Sequence, residues 1–168
     1  MRNLCVSACL VLLLLLGGCN RDPNVAKKRY VENGNKYFSK GKYKEALIMY
    51  RNALKRDLKY GEAYYRAALA ELAMQRFVDA ARDLQRAVEL MPENVDAMDR
   101  LTNLYLNVYL ADRKRPKSLA DELRNLADKY AKRHPNSYSE ARLRGYLALF
   151  DNDAQGAVKF FEKANSLK

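Results

Sequence analysis

Tryptophan is absent from this 168-residue chain, and histidine occurs once, at His134. The three cysteines, Cys5, Cys9 and Cys19, all fall in the first 20 residues, so the body of the chain has no thiol. That excludes a disulfide framework and a cysteine-based metal site from residue 20 onward. With four prolines and seven glycines the chain is neither fibrous nor compositionally disordered. There is no Gly-rich phosphate loop and no His/Cys/Asp set at metal-binding spacing. A catalytic histidine needs a nucleophile and an orienting acid within reach. His134 stands before Pro135 with no serine or cysteine motif to serve it. The residue types point away from an enzyme, and the expected cofactor and metal content is none.

The chain does contain a two-part leader. Arg2 supplies a positive start, and Val6 to Leu16 is an apolar run of eleven. A bilayer-spanning helix needs about 20 such residues, so the run reads as the core of a signal peptide. Leu16-Gly17-Gly18-Cys19 resembles a bacterial lipobox. The resemblance implies cleavage after residue 18, a diacylglycerol thioether on Cys19 and acylation of the new amine. Several acyl chains anchor stably where one is marginal. Asn20 follows the cysteine where an aspartate would signal inner-membrane retention, so the periplasmic face of the outer membrane is the expected location. Residues 1–18 are thus read as leader, 19–26 as a short lipidated tether and 27–168 as the domain.

Positive charge is concentrated beside that tether. Residues 27–60 carry 11 basic and 3 acidic side chains, whereas residues 61–94 carry 4 and 6. Lys27, Lys28 and Arg29 form a basic membrane-proximal patch, suited to anionic headgroups or an acidic polymer and equally to a solvated helix face.

Within the domain one frame recurs. Ala46, Tyr50 and Ala53 each stand 34 residues before Ala80, Leu84 and Ala87. The pattern returns at Ala157, Phe161 and Ala164. Small residues at fixed positions let helices approach, and large ones fill the gaps between them. A small-large-small pattern with this period resembles the tetratricopeptide repeat. It predicts an all-α solenoid of about four helix pairs, at 27–60, 61–94, 95–137 and 138–168. The third is elongated, because Pro135 comes 43 residues after Pro92 rather than 34. The surplus must lie between its helices or lengthen them, and the basic run Tyr109 to Lys117 suggests a longer loop. Its second helix is expected from about Ser118 to Arg133, with Leu119, Leu123, Leu126 and Tyr130 as its apolar stripe. The last copy stops short of its expected proline, leaving Val158, Phe160, Phe161 and Leu167 partly bare; the expectation is that the chain is a fragment of a longer array, or that a partner or a second copy covers this end.

The resemblance also implies a concave inner face. In the four copies it maps to Lys28, Val31, Asn35, Phe38 and Ser39; Glu62, Tyr65, Leu69, Leu72 and Ala73; Asp96, Asp99, Asn103, Leu106 and Asn107; and Ser139, Arg142, Tyr146, Leu149 and Phe150. Asn35, Asn103 and Asn107 can pair the donors and acceptors of an extended peptide, while Tyr65, Tyr146 and Phe150 offer rigid apolar area and Phe38 lines the same groove. Arg142 adds a cation. The Lys/Arg set that clamps a terminal carboxylate in chaperone-binding relatives is not matched.

Finally, GCNRDP followed by GKYKEALIMYRNALK resembles the tetratricopeptide lipoproteins associated with exosortase and exopolysaccharide systems. That resemblance implies a protein-binding scaffold of the envelope of a Gram-negative-type bacterium, in polysaccharide export or surface-protein sorting. A pilotin-like assembly factor for a type IV pilus secretin is an alternative in the same fold. A polysaccharide- or peptidoglycan-binding lipoprotein using the basic first repeat is one of another class. An exported protein rarely meets nucleic acid, so none is expected as a partner.

Overall fold

The computed structural model describes residues 23–168, and the leader and Cys19 lie outside that range. Among the described residues there are eight helices and no strand. They are α1 (Pro23–Phe38), α2 (Tyr43–Arg56), α3 (Gly61–Ala73), α4 (Phe77–Leu90), α5 (Val95–Ala111), α6 (Lys117–Arg133), α7 (Tyr138–Phe150) and α8 (Ala154–Ser166). Short turns make each odd helix antiparallel to the even one that follows, and each hairpin packs on the next. α1 also touches α3, so the odd helices form one layer and the even helices the other.

The repeated small and large positions explain how each hairpin closes. A Cβ built on Gly34 would lie 2.4 Å from Cε1 of Tyr50, a ring with no exposed surface. Gly145 stands in the same relation to Phe161, at 2.6 Å. In the second hairpin the corresponding residues are Ala68 and Leu84, both fully buried. Ala46, Ala53, Ala80 and Ala87 are fully buried on the opposing helices.

Helix ends are set by local chemistry. Asn94, Ser137 and Asp153 accept from the backbone N–H groups of Ala97, Glu140 and Gly156 at 3.0, 3.2 and 2.8 Å. Gly41 takes a positive φ of 72° in the first turn, where glycine carries no Cβ penalty. The turns after α3, α5 and α7 reach a similar conformation with Gln75, Arg115 and Asn152.

Two expectations are corrected. α1 begins at Pro23, so half of the stretch read as a tether is helix; proline is well tolerated in a first turn, where its missing N–H would have no partner. The surplus of the third hairpin goes mainly into its helices rather than into a loop over 109–117. α5 and α6 are 17 residues each, and only 112–116 connects them. Tyr109 is the reason: its ring is buried and lies 4.3 Å from that of Phe150, which holds the end of α5 in place. Leu123, Leu126 and Tyr130 form the buried stripe of α6, with Leu119 packed at its edge. On α8, Val158 and Leu167 are exposed, while Phe160 and Phe161 are half-buried.

Gly34→Ala is expected to destabilise the first hairpin by about 1–3 kcal/mol, because the enclosed Tyr50 ring cannot yield. Urea titration followed by circular dichroism measures it, and Tyr50→Leu should recover part of the loss in the double variant. An unchanged midpoint would show that the close approach is not a constraint.

Candidate interaction groove

The inner layer brings together some of the residues mapped to it and withdraws others. Val31 and Leu106 are buried in the hydrophobic core, and Ser139 is buried as well. Tyr65 is only 8% exposed: its ring is core, and its hydroxyl donates to Asp96 of the next hairpin. Burial raises the Tyr65 hydroxyl above its ordinary value, and the Asp96 carboxylate adds to the effect. Burial works to raise Asp96 too, but the bonds from Tyr65 and Arg100 outweigh it and hold that carboxyl below the usual range.

Similar bridges run along the layer. Asn35 accepts from the Tyr50 hydroxyl at 2.9 Å, within the first hairpin. Tyr130 donates to Asp99 at 2.5 Å. Arg142 donates to Asn103 at 2.6 Å, joining the third and fourth hairpins, and stacks 5.9 Å from the Tyr138 ring. Arg66 and Arg100 pair with Glu62 and Asp96 on their own helices at 2.6 and 2.8 Å. Of Asn35, Phe38, Tyr65, Asn103, Asn107, Arg142 and Tyr146, Asn103 and Arg142 are joined to each other by a hydrogen bond. Phe38 packs edge-on against Tyr43, and Tyr146 edge-on against Phe161, each inside its own hairpin. Asn107 and Asn103 are exposed, as are Ala73 and Leu149, and Leu69 and Leu72 are half-buried. The face thus offers amide and guanidinium N–H groups beside small apolar areas, and its bonds to itself set the angle between neighbouring hairpins. This arrangement can receive main-chain carbonyls and apolar side chains of an extended segment.

The basic patch is divided. Lys27 bonds to Asp57 at 2.6 Å and lies 4.9 Å from the centre of the Tyr60 ring, tying the start of α1 to the end of α2. Lys28 and Arg29 remain exposed. His134 caps α6 with its backbone N–H on the Tyr130 carbonyl at 2.7 Å. No cluster of acidic, histidine or cysteine side chains suited to a metal ion occurs among the described residues.

One constellation was not anticipated. Arg51 of α2 binds Glu71 of α3 at 2.9 Å and Asp83 of α4 at 2.6 Å, and both carboxylates are almost fully buried. One guanidinium cannot neutralise two carboxylates, and Glu71 Oε2 has no hydrogen-bond partner. Burial first, and Asp83 second, push the Glu71 carboxyl up to about 7. Burial raises Asp83 as well. The signal for this trio was present in the repeat frame. Glu71 stands where the first and third copies carry Tyr37 and Tyr105, and Asp83 where the first and fourth carry Met49 and Phe160.

No family model matches the chain. Sperm-associated antigen 1 of Rattus norvegicus is 34% identical over 89 residues, which are 53% of this chain and 10% of that protein. The chain thus spans about a tenth of that curated relative's length. Among solved structures, MamA of AMB-1 superposes with a TM-score of 0.66 at 19% identity, over 87% of this chain and 73% of that one. The TPR2B domain of yeast Sti1, solved as a complex with pHsp70, gives 0.52 at 19% identity, over 86% and 99%.

Because Glu71 holds its proton more tightly when folded, its contribution is fully present below the ordinary carboxylate pKa near 4.5 and is lost as pH rises through about 7. Stability should fall across that interval by on the order of 2 kcal/mol. Glu71→Gln should flatten the dependence in urea melts taken at successive pH values; a slope that survives the substitution belongs to another group.

Proposed function

We propose that this tetratricopeptide-type solenoid is a non-catalytic scaffold of a bacterial envelope, holding an extended segment of a partner protein against its inner layer. The observation that carries this reading is the layer itself. Exposed Asn103 and Asn107 stand beside half-buried Leu69 and Leu72, and Arg142 is fixed between hairpins. Amide groups for main-chain pairing beside half-buried leucines suit an extended peptide better than a small molecule. The yeast Sti1 domain, of similar fold, was solved with an Hsp70 partner, which supports the same use of the fold here.

The lipobox-like Leu16-Gly17-Gly18-Cys19 supports a lipid anchor at Cys19, on the periplasmic face of the outer membrane. The likeness of the leader and first repeats to exosortase-associated lipoproteins supports a partner in exopolysaccharide export or surface-protein sorting. Val158 on α8 and Leu167 just past its end are exposed apolar side chains against which a second copy or the partner would stack.

A photo-crosslinking residue at Asn107 should capture envelope protein in intact cells, and one at Arg86, on the even-helix layer, should not. Equal capture from the two sites would remove the groove from the account. Separately, palmitate should label the wild-type chain and leave Cys19→Ala unlabelled; an unlabelled wild type would remove the anchor alone.

A further inference from the structure

The third hairpin is longer than its neighbours at one end only. Val95 and Tyr138 open α5 and α7 at matching repeat positions, but α5 has 17 residues and α7 has 13. Pro92 and Pro135 follow α4 and α6 at matching positions, but α4 has 14 residues and α6 has 17. The surplus therefore sits at the end of α5 and the start of α6, both on the rim that carries the turns inside each hairpin. At 1.5 Å per residue it projects the connection about 5–6 Å beyond that rim.

The projecting tip has an unusual surface. Arg113, Lys114, Arg115 and Lys117 are all exposed, and none forms an ion pair among the described residues. The nearby acid is occupied, since Asp112 accepts from the Lys114 backbone N–H at 2.8 Å. Just below the cations, Val108 and Leu110 are 48% and 51% exposed. Between them Tyr109 is buried against Phe150, so the tip stands on a fixed base. The same rim continues the theme in the first two hairpins, with exposed Lys40 and Lys42 beside exposed Ile48, Phe77 and Val78.

We infer that this rim, led by the overhang of the third hairpin, seats on an anionic lipid surface. Its cations would meet headgroup phosphates while Val108 and Leu110 enter the boundary between headgroups and acyl chains. A soluble polyanion would use the cations and leave the aliphatic side chains in water, so the mixture favours lipid. No described helix is long and apolar enough to cross a membrane, and the contact is one of surface docking. Pro23 opens α1 on the opposite rim, about 24 Å away at 1.5 Å per residue, so the surface met here is not the membrane that would hold Cys19, and the contact does not depend on occupation of the groove.

The test uses the full chain. Its apolar leader can enter vesicles of any headgroup, so the readout must be local to the rim. Amine acylation read by mass spectrometry compares phosphatidylcholine vesicles with vesicles containing phosphatidylglycerol. Lys114, Lys117, Lys40 and Lys42 should lose reactivity on the anionic vesicles only, while Lys132 and Lys55, toward the opposite rim, keep theirs. Arg113→Gln, Lys114→Gln and Arg115→Gln together should weaken the headgroup-dependent protection roughly a hundredfold, at about fivefold per cation near the surface. Val108→Ser with Leu110→Ser should weaken it as well, and all these side chains are exposed, so helix content should be unaffected. Equal reactivity on both vesicles overturns the inference. Equal protection by a soluble polyanion, insensitive to Val108→Ser with Leu110→Ser, overturns it in favour of an acidic polymer.

Discussion

Two helices of a hairpin can close tightly on a large aromatic ring where the facing helix has nothing to put in its way. Gly34 against Tyr50 and Gly145 against Phe161 meet that condition. The second hairpin meets it by exchange, with Ala68 larger than glycine and Leu84 smaller than tyrosine. Everything above this level follows from the fixed separation. The alanines at the other repeat positions let the next hairpin settle against the first, and the inner layer then falls into register closely enough for Tyr65 to reach Asp96 and for Arg142 to reach Asn103.

The helix pairs were legible in the sequence because packing is periodic and the residues that satisfy it are few. Ala46, Tyr50 and Ala53 are all fully buried at the positions their spacing assigns. The inner face was less legible. Position in a repeat says which way a side chain points, and says little about what it meets. Tyr65 points inward and is consumed by Asp96; Asn35 points inward and is consumed in part by Tyr50. Those partners lie 31 and 15 residues away, beyond the reach of any local pattern. The elongated connection was misread for a related reason. A basic run with a proline resembles a loop, but the buried ring of Tyr109 and the length of α6 decide in favour of helix.

The Arg51, Glu71 and Asp83 trio shows how a repeat can be broken without being lost. Positions that elsewhere carry tyrosine, methionine or phenylalanine carry acids here, and the neighbouring hairpin supplies the guanidinium. A buried ion cluster of this kind adds little net stability compared with apolar side chains of the same volume. It does specify which face of the first hairpin meets the second, because a wrong pairing would leave two carboxylates without a cation. The first interface thus adds charge to an apolar contact of Leu54 with Ala63 and Ala67, while the interface of the second with the third rests on Leu84, Met98 and Leu101.

Joint lengthening of α5 and α6 has a consequence for how this chain can change over generations. The two helices run in opposite directions, so a gain in one must be met by a comparable gain in the other, or the connection slews sideways and Tyr109 leaves its seat on Phe150. Gains at the tip leave both buried stripes in phase, because Leu101 and Tyr105 precede them on α5 and Leu123 and Tyr130 follow them on α6. Growth or loss at this site is therefore confined to paired changes, and a relative descended from the same ancestor should carry α5 and α6 that are long together or short together.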